Sequence, residues 1–412
     1  MPTTKVNEDL LEQAALQWFE REGYTHIHGS AIAPGESVAK RESFEEVVLS
    51  DRLLAALKRI NPSLPAEAIE DAHRQLLRMD APSVLINNRA FHRCITDGVS
   101  ASYTKNGEER DTQAHVIDFE KPENNDWLVV NQLAIIAKPY HRRPDIIVFV
   151  NGLPLAVIEL KNMVGAPTID DAYRQLQTYK TQIPRLFNYN EIMVISDGQE
   201  TKLGTITSDE SRFMPWKSIE SEKLAPKSKL SLQVLIEGVF EKSRFLDLIR
   251  YFIVFEDDGS DEVVKKVAGY HQFHAVNRAL KETIRATSSK GDRRIGVVWH
   301  TQGSGKSLTM AFYAGRVAQS TDMTNPTILV ITDRNDLDDQ LFGTFSKASG
   351  LLRQSPKQAE DREDLKSLLQ VAAGGIIFTT VQKFFPDEKG TKHPLLSDRR
   401  NIVVIADEAH RS

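Results

Sequence analysis

The stretch IGVVWHTQGSGKSLTMAFYAGRV (Ile295 to Val317) constrains the chain most, because it orders an apolar run, a glycine-rich turn and a helical pattern. That order is the context a phosphate-binding loop requires, and it predicts a strand, a turn and a helix. Three further apolar segments, ILVIT, GIIFT and IVVIA, begin near Ile328, Gly375 and Ile402, separated by helix-length stretches. Continuous apolar runs of this length are the mark of strands buried on both faces by crossover helices. The expected architecture from residue 263 to 412 is therefore a parallel α/β sheet. No repeat of solenoid period is present.

Within the turn, Gly303, Ser304 and Gly305 let backbone N–H groups wrap phosphates at a helix N-terminus. Lys306 can reach the β- and γ-phosphates, and Ser307 can hold Mg²⁺. IVVIADEAH supplies the second half: Asp407 and Glu408 end an apolar strand, suited to bind Mg²⁺ through water and to polarise an attacking water. The cofactors expected are ATP and Mg²⁺. The generic loop pattern would have Gly where this chain has His300.

A second feature lies earlier. PDIIVFVNGLPLAVIELKN (Pro144 to Asn162) is a hairpin of two apolar runs whose ends carry Asp145, Glu159 and Lys161. Metal-dependent phosphodiester cleavage needs carboxylates for Mg²⁺ and a cation near the attacking water or the phosphate, and these three supply that set. Glu159 and Lys161 share a strand face by their spacing. Asp145 joins them only in one register. A two-residue Asn151-Gly152 loop sets Asp145 opposite Ile158, with its side chain on the wrong face; an odd-length connection or a bulge sets it opposite Glu159. The expectation is an odd offset despite the Asn-Gly signal. A strand-end salt bridge is the ordinary alternative for these charges.

Around the hairpin the pattern is mixed. Helices are expected at Asn7 to Tyr24, Phe44 to Ile60 and Ala66 to Leu77; strands at Asp126 to Ile136, along both hairpin runs and at Glu191 to Ser196; and a helix at Asp170 to Ile183. Glu12 or Glu8 on the first helix would add a carboxylate facing a metal, or else lie on a solvated face. EDDGSDE (Glu256 to Glu262) interrupts the apolar pattern and divides residues 1–255 from 263–412. The net charge of −5 gives no global sign of nucleic-acid binding, so DNA contacts must use local patches such as KPYHRRP, KGDRR and DRR. The single cysteine, Cys94, excludes an intramolecular disulfide, and the N-terminus lacks a signal peptide's apolar core; a cytoplasmic protein without a membrane span is expected.

The motifs resemble known families. Pro144, Asp145, Glu159 and Lys161 are similar to the PD-(D/E)xK nuclease pattern, and Gln175 and Tyr179 match the QxxxY element of its RecB-like branch. GSGKS and DEAH resemble superfamily 2 helicases and translocases, in which a Gln ahead of the loop reads adenine; Gln272 is the matching residue. In this order, the blocks RPDIIVFVNGLPLAVIELKN, YHQFHAVNRAL, VVWHTQGSGKSLTM, LVITDRNDLDDQL, FTTVQKF and VVIADEAHRS resemble the restriction subunit of type I restriction–modification enzymes.

The resemblance implies a PD-(D/E)xK domain followed by the first RecA-like lobe of a motor that drives along double-stranded DNA with ATP. It implies cleavage of unmethylated foreign DNA remote from the recognition site, with modification and specificity subunits as partners. By it, Asp145, Glu159 and Lys161 cut DNA, supported by Gln175 and Tyr179, while Lys306, Ser307, Asp407 and Glu408 serve ATP hydrolysis. The sequence stops at Ser412, two residues past DEAH, so the expectation is a truncated subunit that alone neither translocates nor shows DNA-stimulated ATPase activity. Two other readings stay open: another helicase-nuclease of DNA repair or type III restriction, although type III enzymes carry the nuclease after the motor, and a non-catalytic assembly module.

Overall fold

The two runs flanking Asn151-Gly152 lack apolar–polar alternation because both are central strands covered on both faces. The computed structural model describes residues 8–36, 41–161, 168–257, 259, 263–301, 303–332, 335–371, 373–384 and 395–407. It divides into two units, residues 1–250 with 265–269, and residues 251–264 with 270–412.

In the first unit, helix α1 (Glu8–Arg21) precedes a seven-stranded mixed sheet. Its strands lie side by side in chain order: β1 (Thr25–His28), β2 (Trp127–Asn131), β3 (Ile146–Val150), β4 (Leu153–Leu160), β5 (Ile192–Ser196), β6 (Thr201–Gly204) and β7 (Met214–Pro215). The β1–β2 and β4–β5 pairs are parallel and the others antiparallel. Parallel neighbours need a crossover, and helix α2 (Ile169–Gln182) supplies it between β4 and β5, packing on both. Its start is set by a capping box, in which the Asp171 carboxylate accepts from Thr168 N–H at 2.8 Å. Every residue of β3 and β4 is buried. At one end of the unit Phe19, Tyr24, Trp127, Phe240 and Phe245 stack edge to face or tilted, with ring centroids 4.9–6.4 Å apart.

The expected strand from Asp126 to Ile136 is shorter and broken. It stops at Asn131, because Gln132 takes a left-handed backbone (φ +53°) that cannot continue a ladder. The chain resumes in a small hairpin, Ile135–Ala137 against Tyr140–Arg142.

In the second unit, helix α3 (Tyr270–Thr287) packs on helix α4 (Lys306–Ala318), with Phe252 stacked between Phe273 and Phe312. A parallel four-stranded sheet contains β8 (Thr327–Thr332), β9 (Lys357–Gln358), β10 (Ile376–Thr380) and β11 (Ile402–Ala406), in the order β9-β10-β8-β11. ILVIT, GIIFT and IVVIA are thus strands, but IGVVW is not: residues 295–301 form no strand, and Val297 and Trp299 are 86% and 89% exposed. Apolar, β-branched composition makes a strand only where an edge receives it. Both edges of β8 are taken by β10 and β11, and among the described residues no ladder forms on the outer edge of β11. No described helix is long and apolar enough to cross a membrane.

Candidate active site

The hairpin combines an Asn-Gly turn with a β-bulge. Asn151 and Gly152 form a two-residue turn with φ of +54° and +78°, as a type I′ turn requires. Next to the turn, Val150 pairs with Leu153 and Phe149 with Pro154; after a register shift, Val148 pairs with Ala156, Ile147 with Val157 and Ile146 with Ile158. Leu155 is the extra residue of a β-bulge, and beyond it an odd number of residues separates the two members of each pair. Asp145 is therefore level with Glu159 on the same face. Gly152 cannot be replaced without cost, since a Cβ there would stand 2.5 Å from the Leu49 carbonyl oxygen.

Asp145, Glu159 and Lys161 are all buried. Lys161 Nζ donates to Glu159 Oε1 and to the Leu160 carbonyl, both at 2.9 Å. The Leu160 N–H donates to Asp145 Oδ2 at 2.8 Å. Burial pushes the Asp145 carboxyl up to about 6, helped by the charges of Glu8 and Glu12 and resisted by the Leu160 N–H and Lys161. Burial, then the neighbouring Asp145, drives Glu159 well above the usual carboxylate range. For Lys161 burial works against the charge, but Glu159 and Asp145 outweigh it and its pKa rises. Two carboxylates thus face one ammonium, an excess of negative charge that favours a further cation or a proton.

A divalent ion fits this site on one observation: Glu159 Oε2 is buried with no donor on it, and the acidic side chain beside Glu159 is that of Asp145. Among the described residues no group of three or more His, Cys, Asp or Glu side chains is placed to hold a metal. Mg²⁺ does not need one, since it keeps several waters and is commonly bound through one or two carboxylates.

On α2, Gln175 Nε2 donates to Tyr179 Oη at 2.6 Å, and that hydroxyl donates to the Arg143 carbonyl at 3.4 Å, two residues before Asp145. Burial raises the Tyr179 pKa first, and the charge of Glu159 adds to it. Glu12 is not on a solvated face. It is buried, accepting from Asn131 Nδ2 and Gln132 Nε2, each at 2.7 Å. Asn131 and Gln132 belong to no recognised motif; their one sequence signal is a pair of carboxamides closing the apolar run WLVV.

In the second unit, Gly305 caps α4 in the left-handed region (φ +78°), which leaves the first-turn N–H groups of α4 at the mouth of the turn. Lys306 and Ser307 open that helix. The carbonyls behind the turn are tied down: Gln272 Nε2 donates to Gly305 O at 3.2 Å and to Thr309 Oγ1 at 3.1 Å, and His271 Nε2 lies 3.1 Å from Ser304 O. Gln272 is buried. Asp407 follows β11 and its N–H donates to Ile331 O on β8 at 3.0 Å, placing it at the carboxyl edge of the sheet, where open α/β folds bind ligands. Glu408 lies outside the described residues.

A buried Asp–Glu–Lys set in a mixed sheet, followed by a phosphate-type turn beside a parallel sheet, defines the class: a nuclease-like unit joined to a nucleotide-binding one. The family model for the type I restriction enzyme R protein N terminus matches residues 5–212, and the SWI2/SNF2 ATPase model matches residues 271–412. The chain belongs to the family of type I restriction enzyme R proteins. It is 43% identical over 99% of its length to the type I restriction enzyme HindI endonuclease subunit of Haemophilus influenzae, covering 39% of that protein. It is 36% identical to a putative type I restriction enzyme endonuclease subunit, MjaIXP, of Methanocaldococcus jannaschii, covering 40% of it. The chain thus spans about two-fifths of the length of these relatives.

Proposed function

We propose that the first unit is a PD-(D/E)xK endonuclease domain, within residues 1–255, and that the second, from residue 263, is the first RecA-like lobe of an ATP-driven motor on double-stranded DNA. The observation that carries this reading is the level placement of Asp145 and Glu159, with Lys161 bonded to Glu159 and Glu159 Oε2 left without a donor.

Asp145 and Glu159 would hold Mg²⁺, which supplies Lewis-acid polarisation of the phosphate and an acidified water. Lys161 keeps its charge beside Glu159 and meets the negative charge that builds on the phosphate. Gln175 fixes the Tyr179 hydroxyl, and Tyr179 steadies the backbone leading into Asp145. DNA reaches the site along Lys138, His141 and Arg143, exposed on the hairpin that runs directly into Asp145. In the second unit Gly303, Ser304, Gly305, Lys306 and Ser307 cradle the phosphates of ATP, with Gln272 behind the turn. Asp407 and Glu408 serve Mg²⁺ and the attacking water. Modification and specificity subunits would supply recognition of unmethylated sites.

The test assembles the full-length subunit with those partners on unmethylated plasmid. Lys161→Ala should keep ATPase activity and lose cleavage, whereas Lys306→Ala should lose both. Normal cleavage by Lys161→Ala would refute the nuclease assignment.

A further inference from the structure

Gln132 holds a backbone conformation that side chains with a Cβ rarely adopt, φ +53°, and it does so beside the carboxylates of the candidate site. Its amide nitrogen has two protons, and two carboxylates face it: Glu12 Oε2 at 2.7 Å and Asp145 Oδ1 at 3.2 Å. Its main-chain N–H donates to the Asp145 carbonyl at 3.0 Å. Gln132 therefore grips Asp145 at both ends of the residue.

Glu12 does not move freely behind it. Asn131 Nδ2 donates to Glu12 Oε1 at 2.7 Å, and Asn131 Oδ1 lies 2.8 Å from His26 Nε2. The line His26, Asn131, Glu12, Gln132, Asp145 thus joins β1, β2 and α1 to the carboxylate. With Oδ2 taken by the Leu160 N–H, both Asp145 oxygens have one fixed donor each.

We infer that Gln132 is a positioning residue for metal binding, orienting the Asp145 carboxylate against the fixed post of Glu12. This rests on the nuclease reading above. A purely structural role accounts for it less well: glycine would meet the left-handed backbone without strain, whereas only a side chain with a donor can join the two carboxylates. Groups that orient ligating carboxylates typically change metal affinity by about 10–100-fold when removed.

Mn²⁺ alone is the probe, followed by electron paramagnetic resonance on the full chain, with calorimetric melting alongside. Gln132→Gly should melt roughly 3–8 °C below wild type, because Glu12 Oε2 and Asp145 Oδ1 lose their donor and relief of the left-handed strain returns only part of that, so binding is compared well below both midpoints. It should bind Mn²⁺ roughly 10–100-fold more weakly. Gln132→Met, which keeps the bulk and loses the donor, should weaken binding equally and serves if the glycine variant does not fold. Asp145→Asn marks the site followed. If it loses Mn²⁺ while both Gln132 variants bind as wild type does, the positioning role is overturned and the nuclease reading stands. If Asp145→Asn itself binds as wild type does, the metal reading has failed.

Discussion

Asp145 stands level with Glu159 across the β3–β4 pair because one residue, Leu155, is extruded as a bulge between them and the turn. The turn must therefore stay two residues long, and Gly152 is its most constrained member. Gly152→Ala places a Cβ 2.5 Å from Leu49 O at φ +78°. Strain and overpacking together should cost about 2–4 kcal/mol, lowering the melting temperature of this unit by roughly 5–10 °C. Gly107→Ala, at the same φ of +78° but with nothing within 4 Å, should lose only about 1 kcal/mol. Equal melting of the two variants by calorimetry would count against the close approach at Leu49.

The electrostatics of the pair predict a pH dependence. Without metal, folded Asp145 holds its proton up to about pH 6, and the unfolded chain releases it near 3.8. Between those values the folded state binds more protons, so this group's contribution to stability falls as pH rises from about 4 to 6. The whole effect is bounded by about 3 kcal/mol. Asp145→Asn should flatten the stability curve across that window in urea titrations, gaining most on wild type above pH 6. Binding of Mn²⁺ by wild type should strengthen through that window and go on strengthening above pH 6, since Asp145 and also Glu159, held well above the usual carboxylate range, must ionise to ligate.

Gln272 gives a prediction that separates two roles. Its amide nitrogen donates to Gly305 O and Thr309 Oγ1, bonds that brace the glycine-rich turn. Gln272→Ala should then weaken ATP and GTP alike, by about 3–10-fold each, the worth of roughly one hydrogen bond. A loss confined to ATP in nucleotide titrations would instead assign Gln272 to adenine.

What the sequence made legible follows from the range of the interactions involved. The Asp145–Glu159 register could be deduced because a period of two leaves only one offset compatible with shared chemistry, although the bulge at Leu155 had no local signature. Three of the four apolar runs in the second unit are strands, and IGVVW fails because its composition says nothing about an available edge. In the sequence, Glu12 fits a solvated face as well as a metal-facing one for the same reason. Its partners Asn131 and Gln132 lie 119 and 120 residues away, so nothing in α1 announces that two amides will cover it.

Lys265 and Glu191 test how the segment 265–269 is anchored to the first unit. Lys265 Nζ donates to Glu191 Oε2 at 2.8 Å, to Asn88 Oδ1 at 2.9 Å and to Asn190 O at 2.9 Å, with both charged side chains fully buried. Its carbonyl accepts from the hydroxyls of Thr205 and Thr207, each at 2.7 Å. Burial disfavours the Glu191 charge, but Lys265 and His92 outweigh it and hold the carboxyl below its ordinary range. Burial lowers the Lys265 pKa and Glu191 opposes it, so the 2.8 Å contact is what favours the ionised pair, and Lys265→Met leaves the buried carboxylate with His92 at 3.0 Å but no ammonium. That should cost about 3–5 kcal/mol, a drop on the order of 10 °C in melting temperature. Glu191→Leu combined with Lys265→Met should recover most of the loss, because apolar replacement of both partners removes the stranded charge. A double-mutant cycle in urea measures the coupling directly. Additive losses would mean that the two charges do not depend on each other, and that the bonds to Asn88, Asn190, Thr205 and Thr207 anchor the segment without help from the charge pair.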